Sequence, residues 1–144
     1  MLNEDDTVLL PALKPPEKAK QVVVVRKDLN LHKKYTGKFA GQVAHACMKD
    51  LLHKFTHGKT INDLTEEENS YYLGIFTKIV VGVDSEAELD EIFAKCKMAG
   101  LTVHMIVDSG LTLFNGVPTK TCLAIGPHYS SKFENITGHL KLIS

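Results

Sequence analysis

The run 21-QVVVVR-26 is apolar, continuous and β-branched, which predicts a central strand covered on both faces. The pattern then turns polar across 27-KDLNLHKKYTGK-38, read as a loop. A helical period takes over in 39-FAGQVAHACMKDLLHKF-55, where Phe39, Val43, Ala46, Cys47 and Leu51 trace a packing stripe and Thr36 is a candidate N-cap. The stretch 56-THGKTINDLTEEENSYY-72 gives a loop and a short helix, with Thr65 ahead of three glutamates. A second strand follows at 77-TKIVVGV-83, and Ser85 with Glu88 forms a capping box for the helix 86-EAELDEIFAKCKMA-99, closed by Gly100. A third strand, 101-LTVHMIV-107, ends at Asp108. A turn through Asn115, Gly116 and Pro118 leads to a fourth strand, 121-TCLAIG-126, and 130-SSKFENITGHL-140 reads as a last short helix capped by Ser130 or Ser131.

No internal repeat is present. The β-α-β-α-β-β-α order predicts a single α/β domain over residues 20–144, with a four-stranded mixed, mainly parallel sheet and helices on both faces. Both sheet edges are expected to be open, one of them available for dimerisation. Residues 1–19 are acidic and then proline-rich, unlike a secretory signal, and read as a partly ordered extension.

The composition is that of a globular protein, with 44% hydrophobic and 24% charged residues in a chain of 144. No apolar run approaches the roughly 18 residues that span a bilayer. Cys47, Cys96 and Cys122 are odd in number and widely spaced, which favours reduced, buried thiols in the cytoplasm over disulfides or zinc. The formal net charge of zero is a cancellation: residues 14–59 carry eleven Lys/Arg against three acids, whereas residues 60–144 carry six Lys against eleven acids. Such asymmetry either marks a basic surface that meets phosphates or is a scatter of solvated lysines.

In open α/β sheets, ligands meet the chain beyond the carboxyl ends of the strands. Lys38, Gln42 and His45 share one helix face there, at i, i+4 and i+7. The Gly37-Lys38 step places an ammonium and backbone N–H groups at a helix start, although the GxxxxGK[ST] spacing of a P-loop is missing. Asp108 sits before Ser109-Gly110, either as an Asx-turn or as a functional carboxylate, with Thr112, Thr119 and Thr121 near it in sequence. No GxSxG elbow or Cys/His signature supports a covalent nucleophile, and the histidines show no metal-ligand spacing, so no metal or cofactor is expected. A lysine, an aspartate and hydroxyls suit electrostatic stabilisation with activation of water, as in hydrolysis of an activated ester.

Taken in order, 20-KQVVVVRKDL-29, 37-GKFAGQVAHA-46, 97-KMAGLTV-103, 108-DSGLT-112, 121-TCLAIGP-127 and 137-TGHLKL-142 resemble the archaeal/eukaryotic-type peptidyl-tRNA hydrolase family, from Lys20 to the C-terminus. The loop 30-NLHKKYT-36 is longer than usual, Ser109 replaces a small alanine, and Leu111 replaces a commonly polar or basic residue. The resemblance implies hydrolysis of the ester joining a peptide to the 3′-terminal ribose of tRNA, by a metal-free cytoplasmic homodimer that meets the acceptor end of peptidyl-tRNA. It implies Lys38, Asp108 and Thr121 as catalytic residues, with Gly37, Gln42, His45, Thr112 and Thr119 binding substrate; Thr121 is favoured over Thr119 as the family threonine because it directly precedes C-L-A-I-G-P. The rival is a non-catalytic RNA-binding or adaptor protein of the same fold, which is favoured if Lys38 and Asp108 lie far apart or if the longer loop covers the cleft.

Overall fold

The computed structural model describes residues 17–144. Four strands, β1 (Ala19–Arg26), β2 (Thr77–Val83), β3 (Val103–Asp108) and β4 (Thr119–Tyr129), form one sheet in the order β2-β1-β4-β3. The α-helices are α1 (Leu31–Lys34), α2 (Thr36–Thr56), α3 (Glu66–Tyr72), α4 (Glu86–Met98) and α5 (Glu134–Thr137). The four-stranded mixed α/β sheet matches the sequence pattern, but its expected mainly parallel pairing does not. Only β1 and β2 run parallel, while β1–β4 and β3–β4 are antiparallel. The short 108–119 connection explains this, because a parallel neighbour needs a crossover of a dozen or more residues.

The run 22-VVVV-25 splits by strand alternation. Val22 and Val24 join Leu89, Ile92, Cys96, Leu123 and Ile125 on the face covered by α4 and α5, and Val23 and Val25 join Ala46, Cys122 and Ala124 beneath α2. Burial on both faces is what a continuous β-branched strand requires. It also raises the thiols of Cys96 and Cys122 to about 11 and about 12, which keeps both protonated.

Several local expectations shift. The 27–38 stretch is not a plain loop: a 3-10 turn at Lys27–Leu29 and α1 occupy it, held by the buried Leu31. Thr36 is the first residue of α2, so the N-cap is Tyr35, and neither Ser130 nor Ser131 caps a helix. Instead the Ser130 hydroxyl donates to the carbonyl of Lys18, and the Ser131 amide donates to Glu17. These bonds tie residues 17 and 18 to the domain; residues 1–16 of the expected extension lie outside the described residues. Thr65 does cap α3, and Ser85 caps α4, while the Glu88 carboxylate accepts from the amide of Asp84 rather than that of Ser85. The C-terminal residues Lys141–Ile143 bond along β2, so that edge is covered, and among the described residues β3 is the edge left open.

Helix α2 runs antiparallel to β3, and polar residues bind the two together. At its C-terminal half, the buried Asp50 accepts from Lys54, Tyr72 (2.9 Å) and His104 (3.2 Å). Burial alone would raise the Asp50 pKa, but bonds from His104 and Lys54 outweigh it and hold the group at about 2. Because the folded value is depressed, the stabilisation is present above the ordinary aspartate range and is lost as pH falls from about 4 toward 2, a span worth about 2–3 kcal/mol. An Asp50→Asn variant is expected to unfold at lower temperature at pH 7, with the gap to the parent protein closing below pH 4. A pH-independent gap in thermal melts would contradict this linkage.

Candidate active site

At the opposite end of the α2–β3 seam lie Lys38 and Asp108. Lys38 stands in the first turn of α2, where the helix dipole disfavours a cation, so its ammonium needs a counter-charge. Asp108 supplies one: Lys38 Nζ donates to Asp108 Oδ1 at 2.8 Å and also to Thr112 Oγ1 at 3.1 Å. The Gly110 amide donates to Asp108 Oδ2 at 2.9 Å, and Gln42 Nε2 approaches Oδ1 at 3.4 Å. The Lys38 bond, assisted by the Gly110 amide, holds the Asp108 carboxyl below its ordinary range, so it is a carboxylate at neutral pH. Both side chains remain open to solvent, 23% and 12% exposed.

Thr121 is 3% exposed and donates to Gln42 Oε1 at 2.6 Å. A β-bulge brings it there. The β3–β4 register shifts between Ile106 and Val107, leaving Thr121 between the residues paired with Ile106 (Cys122) and Val107 (Lys120). Cys122 packs beneath α2, and strict alternation would send Thr121 to the other face; the extra residue re-aims it toward α2. Gln42 is then fixed at both ends, its carbonyl held by Thr121 and its amide turned to Asp108, and Cys122 Sγ meets the Gln42 backbone carbonyl at 3.6 Å. A chain Thr121–Gln42–Asp108–Lys38–Thr112 results, running from the core to the surface.

Not every expected residue joins it. Thr119 lies opposite Asp108 in the ladder, but its hydroxyl donates to Val117 O at 2.8 Å. His45 is exposed one turn beyond Gln42, and none of the hydrogen bonds of the described residues links it to the pair. Gly37 is exposed, with open space where a Cβ would stand. The Gly110 amide was not among the expected contributors; its signal was the D-x-G spacing that lets the chain turn back on the carboxylate. Gly110 holds φ +81°, and a Cβ there would meet Val117 O at 2.2 Å, so only glycine fits. Among the described residues, no group of three or more His, Cys, Asp or Glu is placed to hold a metal ion.

The model of the family described as "Peptidyl-tRNA hydrolase PTH2" matches residues 19–143. The chain belongs to this family. Peptidyl-tRNA hydrolase of Thermococcus onnurineus is 38% identical over 126 residues, covering 86% of this chain and 97% of the relative. The peptidyl-tRNA hydrolase of Methanocaldococcus jannaschii is 37% identical over 125 residues, with 86% and 99% covered. A solved structure described as a protein of unknown function from Agrobacterium tumefaciens strain C58 aligns with a TM-score of 0.52 at 16% identity, covering 88% of this chain and 98% of that one. That likeness supports the fold alone.

Thr121→Val keeps the shape of the side chain but leaves Gln42 Oε1 without its buried donor, a loss of about 1–3 kcal/mol. The expected result is a lower melting temperature and a kcat for peptidyl-tRNA hydrolysis reduced about tenfold with little change in KM, while Thr121→Ser retains most of both. Equal kcat values for the Val variant and the parent would remove the hydroxyl from the site.

Proposed function

We propose that this member of the peptidyl-tRNA hydrolase family cleaves the ester between a peptide and the 3′-terminal ribose of tRNA at the Lys38–Asp108 centre. The observation carrying the assignment is the 2.8 Å contact between an ammonium at a helix start and a carboxylate at a strand end, both solvent-accessible. In the free protein each neutralises the other. When the substrate arrives, Lys38 turns to the ester oxygen or the terminal phosphate, and Asp108, relieved of its counter-charge, becomes the stronger base. Water attacks the ester carbon, Asp108 takes its proton, and Lys38 stabilises the oxyanion. The acyl–oxygen bond then breaks as Asp108 passes that proton to the ribose 3′-oxygen, which leaves as a hydroxyl; the new peptide acid releases its remaining proton to solvent and departs as a carboxylate.

Thr121 and Gln42 act as positioning residues, because the threonine hydroxyl is buried and spends its hydrogen on Gln42. Gly37, with no Cβ beside the helix start, leaves room for the terminal ribose and phosphate. The exposed Lys33, Lys34 and His45 extend the cationic or protonatable surface along the acceptor stem, through contacts that carry no sequence information. Contact between the two charged groups, and their access to solvent, support the hydrolase over the rival adaptor reading. No described helix is long and apolar enough to cross a membrane, and action on tRNA during translation assigns the protein to the cytoplasm.

The experiment is release of free tRNA from N-blocked aminoacyl-tRNA. Lys38→Ala and Asp108→Ala are each expected to lower kcat by about 10²–10³, and a chelator is expected to change nothing. Full activity in both variants would remove this centre, and activity restored only by added metal would remove the metal-free mechanism.

The homodimer belongs to the same proposal. Gly41, Ala44, Met48, Leu51 and Phe55 recur every three or four residues along α2, and Met48 and Phe55 are 56% and 55% exposed. An apolar groove of about 490 Å³, lined by Phe39, Ala40, Val43, Ala44, Cys47 and Met48 among others, flanks the small-residue half. Two copies related by a two-fold axis near Met48 would set the small half of one helix against the large half of its partner. Light scattering is expected to give a dimer for the parent chain and a monomer for Met48→Asp; a monomeric parent at micromolar concentration would overturn the interface.

A further inference from the structure

The loop between β3 and β4 presents an apolar tip beside the reactive pair. Leu111 is 84% exposed, Val117 59% and Val107 53%. Single exposed apolar residues are ordinary, but these are held in place at some cost. Phe114 and Asn115 adopt left-handed backbone at φ 66° and 53°, which for a phenylalanine is strained. The Gly116 amide donates to Gly110 O at 2.8 Å, closing the loop on itself. The loop is locked to the centre through two neighbouring residues, since Gly110 donates to Asp108 and Thr112 accepts from Lys38. Leu111 lies between them.

Charge divides the surroundings of the pair. On the helix side, Lys33, Lys34 and Lys38 lie within six residues, whereas Ser109–Thr119 carries no charged side chain. A peptidyl-tRNA divides in the same way at its ester: phosphates on one side, an acyl chain on the other. Phosphates require the cationic side, which leaves the uncharged loop for the acyl chain.

We propose that Leu111, with Val117, forms the subsite for the side chain of the amino acid esterified to tRNA, and that it favours apolar residues there. The inference rests on ester cleavage at Lys38–Asp108. A single tRNA body charged with different N-acetylated amino acids isolates the acyl contribution. The parent chain is expected to show kcat/KM about tenfold higher for N-acetyl-leucyl than for N-acetyl-glycyl or N-acetyl-aspartyl esters. Leu111→Ser and Leu111→Arg are expected to flatten that preference, while Leu111→Ser leaves the melting temperature unchanged and the Kd for uncharged tRNA within about twofold of the parent.

Three results would overturn the subsite while leaving the hydrolase reading intact: no acyl preference in the parent, a preference unchanged in both variants, or weakened binding of uncharged tRNA by Leu111→Ser. The last would place the loop against RNA. A parent chain that releases tRNA from none of the esters would overturn the hydrolase reading itself, and the subsite with it.

Discussion

A helix that lies across a sheet must satisfy any polar side chain on its inner flank, and α2 carries four: Lys38, Gln42, Asp50 and Lys54. The edge strand β3 answers two of them, with Asp108 and His104 facing the same helix from alternate positions, and β4 contributes Thr121 to Gln42. Between the polar ends, Ala46 and Ile106 supply apolar contact. Because buried polar groups left unpaired cost more than paired ones gain, these bonds fix the position of the helix along the strand as well as its distance from it. The proposed centre inherits that precision: an ammonium and a carboxylate from residues 70 apart in sequence meet at 2.8 Å because the seam between helix and strand has one register.

The two ends of that seam share chemistry but differ in exposure. Around Asp50 the network is more deeply set, with the Asp50 side chain only 3% exposed and bonded to Lys54, Tyr72 and His104, and it acts as a structural clamp. Around Asp108 the same kind of pair opens to solvent. Separating Lys38 from Asp108 costs little there, since solvent screens the broken pair. The same pairing of Lys with Asp is therefore buried and clamped at one end of α2 and open to solvent at the other.

The β-bulge explains why this region depends on few alternatives. It lets adjacent residues of β4, Thr121 and Cys122, both address α2, which regular pleating forbids. On the following turn, Gly110 admits the Val117 carbonyl to the space a side chain would fill and so keeps its own amide on Asp108. One irregularity in the ladder and one glycine thus position four groups of the centre.

Read without coordinates, the chain determined its strands, its main helices and their layers: the run of valines had to be covered twice, Ser85 marked a real helix start, and the spacing of Lys38 and Gln42 put them on one face. The 27–38 stretch and the caps expected at Thr36 and Ser130 or Ser131 depended instead on contacts distant in sequence. It also made Asp108 a candidate, since an acid at the end of an apolar strand is conspicuous locally. What it left open was anything set by pairing partners. The antiparallel entry of β4, the covered β2 edge and the hydrogen bond that wires Thr121 to Gln42 all depend on register, and neighbouring residues in a strand look equivalent until a ladder shifts by one. Only the folded sheet decides which face a side chain takes, because that depends on hydrogen bonds to strands far away in sequence.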